Sequence, residues 1–256
     1  MTTLAEILAD RTPICGGFQC RIPADWMQGR TSFGGLSSAI ALQAALLAEP
    51  DLPPLRSAQI GFVGPLAGEV NVTALKLRRG RNAAFLQADV ASEAGLGLRA
   101  IFVFMRDQPS AVDLTAPTVP HRPPPQGTKL WSGPEGFFAA NMEFYDPKFP
   151  GLASAELMRW GRMKAHEGLD PFIHVVTMAD ALPPAPIRLL NPRTPLSSLT
   201  WQINLLTPSP ATTDGWWLIG AKAEHARGGG SSQMMRLWNA DGVPIAEGTQ
   251  SVALFG

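Results

Sequence analysis

Charge is scarce in this chain. Only 16% of its 256 residues are charged, with 21 Lys and Arg against 21 Asp and Glu. That balance gives no field to draw in nucleic acid or an anionic membrane, so neither is expected as a partner. Cysteine is nearly missing: Cys15 and Cys20 are too few for a disulfide framework and lack the company a metal site needs. No apolar run reaches membrane-spanning length, since residues 36–48 form a short stretch broken by Ser37, Ser38 and Gln43. Residues 1–10 hold two acids and no basic segment, so a signal peptide is not expected and a soluble, cytoplasmic protein is. The glycine patterns of dinucleotide and phosphate loops are missing, as is a Gly-x-Ser-x-Gly elbow. His121, His166, His174 and His225 are scattered at no metal spacing. Neither a metal nor a cofactor is therefore expected.

What is present is apolar material, 45% of the chain, enough for a sizeable core. Proline is concentrated centrally, at Pro109, Pro117, Pro120, Pro123, Pro124 and Pro125. Such a stretch suits neither a helix interior nor a central strand. It reads as a linker over 109–129 between an N-terminal unit, 1–108, and a C-terminal unit, 130–256.

The two units share a pattern. In the first, Phe33-Gly34-Gly35 precedes a helix over 36–47, and strands follow over 56–63, 69–77, 83–91 and 98–105. In the second, strands over 141–145 and 155–164 precede a helix that starts at Asp170-Pro171, an N-cap with proline in the first turn. That helix is expected to run to about Leu182, before Pro183-Pro184. Strands over 196–206, 216–224, 232–238 and 249–255 complete the set. Gly64-Pro65 aligns with Thr207-Pro208, and Arg79-Gly80-Arg81 with Arg227-Gly228-Gly229. A helix followed by long antiparallel strands, twice, predicts an α+β fold with two sheets, each wrapped around one helix.

Asp180 stands out within this pattern. The helix around it carries Ile173, Val175, Val176, Met178 and Ala179, and Asp180 shares a face with Ile173 and Val176. An ionised carboxylate there costs on the order of several kcal/mol unless it has partners. It is either a base or a tied-down acceptor. The strand from Leu196 alternates, with Ser197, Leu199, Trp201, Ile203 and Leu205 on one face and Ser198, Thr200, Gln202 and Asn204 on the other. The polar face either lines a cleft or meets water. Gln250 shares a face with Val252 and Leu254, the orientation of a core residue. Gly34 and Gly35 read as a turn before a helix or as a place where a substrate approaches backbone closely. Arg78, Arg79 and Arg81 read as a solvated hairpin tip.

Phe33-Gly34-Gly35, Arg56-Ser57, the strand end Val63-Gly64-Pro65-Leu66, Met178-Ala179-Asp180, Ser197-Ser198-Leu199-Thr200-Trp201 and Glu247-Gly248-Thr249-Gln250 occur in this order. In that order and spacing the chain resembles the double-hotdog acyl-CoA thioesterases of the thioesterase II family. The resemblance implies a double hotdog fold and hydrolysis of acyl-CoA without a covalent intermediate. It further implies a water held by an aspartate, a hydroxyl residue and a glutamine. Residue by residue these fall on Asp180, on Ser198 (in place of the usual threonine) and on Gln250. Ser197 and Thr200 remain alternatives for the hydroxyl. Gly34, Gly35 and Thr200 are the expected substrate contacts, and a homo-oligomer, a dimer or larger, is the expected assembly. Two other functions fit the same fold. One is a hotdog enoyl-CoA hydratase, which would want a His–Asp pair that His174, off the face of Asp180, supplies poorly. The other is a non-catalytic acyl-thioester-binding module.

Overall fold

The computed structural model describes residues 1–191 and 194–255. The chain opens with α1 (Leu4–Ala9), β1 (Arg11–Ile14) and β2 (Gly17–Ile22), then a small ribbon of β3 (Met27–Gln28) and β4 (Thr31–Ser32). Next come α2 (Gly34–Ala48) and four long strands, β5 (Leu55–Phe62), β6 (Gly68–Arg79), β7 (Ala83–Ser92) and β8 (Gly95–Met105). Residues 106–130 carry no helix or strand. They run past the far hairpin turn, where the Val119 N–H donates to the Gly242 carbonyl at 2.9 Å. The second half contains β9 (Met142–Tyr145), β10 (Glu156–Met163), α3 (Pro171–Ala179), β11 (Leu196–Leu205), β12 (Trp217–Arg227), β13 (Gly230–Trp238) and β14 (Pro244–Leu254).

Twelve strands form one sheet, in the order β1-β2-β6-β7-β8-β5-β11-β14-β13-β12-β10-β9. Read outward from the centre, the two halves match strand for strand: β5, β8, β7, β6, β2 and β1 on one side answer β11, β14, β13, β12, β10 and β9 on the other. The centre is the antiparallel pair β5–β11, with Ile60 opposite Trp201 and Ser57 opposite Asn204. Arg56 reinforces this seam by donating from Nη1 to the Leu205 carbonyl at 2.8 Å. Two sheets wrapped around two helices, joined edge to edge, make a double hotdog, as the resemblance implied.

The helices sit inside the wrap. α2 is buried nearly all round, and its small residues Ala39, Ala41, Ala44 and Ala45 let sheet and partner helix come close. It packs on β6, β7 and β8, while α3 packs on β10, β12 and β13 and the two helices pack on each other. The Asp170 carboxylate caps α3 as expected, accepting from the N–H groups of Phe172 and Ile173 at 2.8 and 3.2 Å. The helix stops at Ala179, three residues before the expected end near Leu182. Asp180 is therefore its C-cap (φ −95°, ψ 5°) and lies outside the helix interior. The elements before α2 went unread in the sequence. Yet α1 has a capping box, Thr3 with Glu6, and Leu4, Ile7 and Leu8 buried at helical spacing.

Candidate active site

A cavity of about 1050 Å³ opens where the two halves meet. The end of α3, the start of α2, the end of β5, the start of β11 and the β3–β4 ribbon all contribute to its wall. Most of that wall is apolar or proline, including Phe62, Leu66, Phe137, Pro183 and Leu199. Among the described residues lining it, Asp180 and Arg30 are the ionisable ones.

Asp180 reaches the cavity because α3 ends one residue earlier and turns the chain toward the start of α2. Gly34 makes room for it: a Cβ added there would sit 2.5 Å from Asp180 Oδ2 and 3.1 Å from the Phe62 ring. The other carboxylate oxygen, Oδ1, accepts from Gln250 Nε2 at 3.1 Å. The backbone N–H of Gly35 also acts on the carboxylate as a donor. Burial pushes the Asp180 carboxyl up to about 7, while the Gln250 amide and the Gly35 N–H pull it back toward the ordinary carboxylate range. A lone acid in an apolar wall, held by two donors, titrates near neutrality.

Gln250 is brought to Asp180 by sheet register. It sits on β14 opposite Trp201 of β11 and opposite Gln233 of β13, and is buried on the concave face. Ser198 arrives by a different device. Strict alternation along β11 would put Ser198 on the same face as Thr200. A bulge intervenes: Ser198 pairs with Val252 and Thr200 with Ser251, leaving Leu199 extra. Ser198 is thereby shifted to the side of buried Val252 and lines the cavity. The expected alternation of β11 is thus correct only from Thr200 onward.

Thr200 departs from expectation. It is exposed, opposite Ser251 and Gly61, and absent from the cavity wall because it follows the bulge. Gly35 also differs from expectation. It does not line the cavity, and a Cβ there would strike the Phe33 ring at 2.5 Å and the Thr177 carbonyl at 2.6 Å. Its smallness serves the packing of α2 on α3, and its N–H serves Asp180. Gly34, Ser197 and Ser198 do line the cavity. His174 is buried elsewhere: its Nε2 accepts from Trp217 Nε1 at 3.1 Å, and burial pushes its pKa down to about 4. Arg79 lies apart from the cavity, with Nη1 3.3 Å from Glu49 Oε1.

One residue of the constellation escaped the sequence reading. Gln233, 2% exposed, donates from Nε2 to Gln250 Oε1 at 2.6 Å and accepts at Oε1 from the Ala185 N–H at 2.8 Å. Its signal was available: an amide on the same strand face as Met235 and Leu237 is a buried polar group that needs partners.

Comparison with known proteins agrees with this architecture. A family model described as the acyl-CoA thioesterase C-terminal domain matches residues 113–254, and one described as the acyl-CoA thioesterase N-terminal domain matches residues 22–105. No curated protein matches the chain in sequence. Among solved structures, a hot dog fold protein of unknown function from Alicyclobacillus acidocaldarius is 20% identical with a TM-score of 0.83, covering 100% of this chain and 99% of that one. The tesB protein of Mycobacterium avium subs paratuberculosis is 16% identical, with a TM-score of 0.79 over 99% of both chains. An acyl-CoA thioesterase II of Mycobacterium marinum is 16% identical, with a TM-score of 0.77 over 98% of both. At these identities the structural neighbours speak for the fold, and the family models, which between them span most of the sequence, speak for descent. This chain belongs to the acyl-CoA thioesterase family.

Proposed function

We propose that the protein hydrolyses acyl-CoA thioesters by direct attack of water on the thioester carbonyl, with Asp180 as general base. The observation that carries this reading is the position of Asp180: a carboxylate in an apolar cavity wall, tethered by Gln250, with its pKa raised to about 7. A base is most effective when its pKa lies near the working pH.

In this scheme the cavity takes the acyl chain against Phe62, Leu66 and Phe137, with the thioester carbonyl beside Asp180. Water between Asp180 and Ser198 gives a proton to the carboxylate as its oxygen bonds to the carbonyl carbon. Ser198 orients that water, and Gln250 holds the carboxylate still. Charge develops on the carbonyl oxygen next to the first turn of α2, where the helix dipole favours it. The C–S bond then breaks, and the proton on Asp180 returns to the departing CoA sulfur. The reading treats 1–108 and 130–256 as two repeats joined by 109–129, with acyl-CoA and water as the only reactants. An enoyl-CoA hydratase is disfavoured because His174 is tied to Trp217, away from the cavity wall.

The test is thiol release from a panel of acyl-CoAs by the purified protein across pH 5–9. The reading expects turnover on at least one chain length, with kcat/KM rising through about pH 7 as Asp180 ionises. Binding of acyl-CoA without thiol release on any panel member would leave a binding module instead.

A further inference from the structure

A chain of three hydrogen bonds leads from the backbone to Asp180, and its direction is fixed at one end. The Ala185 N–H has only a proton to offer, so the Gln233 end that faces it must be Oε1. Gln233 then presents Nε2 to Gln250, at 2.6 Å, and Gln250 must answer with its oxygen. That leaves Gln250 Nε2 facing Asp180 Oδ1 at 3.1 Å. Both glutamines are buried, 2% and 3% exposed, so no bulk water competes to turn either amide over. Ala185 is itself anchored, opening the short 3-10 helix Ala185–Leu189 just after Pro183-Pro184.

We propose that Gln233 is a positioning residue for thioester hydrolysis, locking the amide of Gln250 so that it donates to Asp180 and holds the carboxylate in its basic form. The inference rests on the reading of Asp180 as the base, and it explains why a glutamine serves beside it. An unlocked amide has two faces. Presented oxygen-first, it would repel the carboxylate and favour its protonation. The remaining groups acting on Asp180 are the Gly35 N–H and the apolar wall, and Arg30 is the other charged residue of the cavity among those described.

Three variants and one unmodified sample test the lock. Gln250→Met removes the donor, and the acid limb of kcat/KM is expected to move to higher pH by roughly one to two pH units. Gln233→Met leaves Gln250 in place but unlocked, and should move the limb the same way by about 0.5 pH unit, with KM within about twofold. The double variant should match Gln250→Met alone, because without Gln250 there is nothing for Gln233 to lock. A purely structural Gln233 would lower the melting temperature and leave the limb in place, which would overturn the proposal. The unmodified protein gives a reading independent of activity and of folding in any variant. With glutamine side chains labelled for NMR, the Gln250 amide protons should shift with the titration of Asp180 and those of Gln233 should follow. Gln250 amide protons blind to that titration would also overturn it. Absence of all thioesterase activity would instead reject the hydrolase reading and leave the NMR titration to judge the lock.

Discussion

At the scale of single residues, the site is made by what is small as much as by what is polar. Gly34 admits the Asp180 carboxylate, and an added methyl group would lie 2.5 Å from its Oδ2. Gly34→Ala should therefore displace the Asp180 carboxylate and, with Asp180 as the proposed base, cut kcat roughly 10- to 100-fold, with a far smaller change in melting temperature. Retention of full kcat in this variant would mean that the carboxylate position does not matter. Ser198 supplies a single hydroxyl to the cavity, so Ser198→Ala should cost roughly 2- to 12-fold in kcat/KM and Ser198→Thr much less. Steady-state kinetics on one acyl-CoA checks both. Asp180 was legible in the sequence because a carboxylate among Ile173, Val176 and Met178 has no cheap explanation. Gln233 was passed over although the same argument applies to an amide among Ser231, Met235 and Leu237. Its partner Gln250 is 17 positions away, and which amide end faces which atom depends on register that no local pattern carries.

At the scale of elements, most strand ends fell within a few residues of where turn chemistry put them. Asp170-Pro171, Gly64-Pro65 and the turn at Asn239 to Gly242 mark their boundaries through φ restriction and side-chain caps. The misreadings have physical causes. Apolar residues continue past Ala179 to Leu182, so periodicity alone overextended α3, whereas the chain turns at Asp180 to reach the start of α2. The bulge at Leu199 defeated strict alternation because it is set by pairing with β14, far away in sequence. That bulge keeps Ser198 opposite Val252 although Leu199 follows it. Deleting Leu199 should close the bulge, preserve the register of Trp201 to Leu205 and leave Ser198 opposite Val252 on the cavity face. The deletion variant should then keep a higher kcat/KM than Ser198→Ala, and an equal loss would mean that pairing with Val252 does not hold the hydroxyl in place.

The whole molecule is held by features that no segment announces. The pairing of β5 with β11 merges two sheets into one, and the packing of α2 on α3 joins their cores. The repeat was visible as matched turns, but which strands pair at the seam between the repeats was not. Its consequence is a shared cavity, with Gly34 from one half and Asp180 from the other. The same burial makes stability depend on pH with a definite sign. The Asp180 carboxyl titrates at about 7 when folded against an ordinary value of 3.8, so the folded state holds this proton more tightly. Its contribution favours the fold fully below about pH 4, declines as pH rises toward 7 and is lost above it. An asparagine at this position cannot titrate. The melting temperature of the unmodified protein minus that of Asp180→Asn should therefore fall between pH 5 and pH 8 in calorimetry, and a difference that rises would contradict the raised pKa.

The most direct measurement is CoA thiol release by the unmodified protein and by Asp180→Asn, at pH 8, on an acyl-CoA that both bind. A base at Asp180 implies a loss of kcat of roughly 10²- to 10⁴-fold with Kd for the acyl-CoA nearly unchanged. An Asp180→Asn protein that releases thiol as fast as the unmodified one would contradict it.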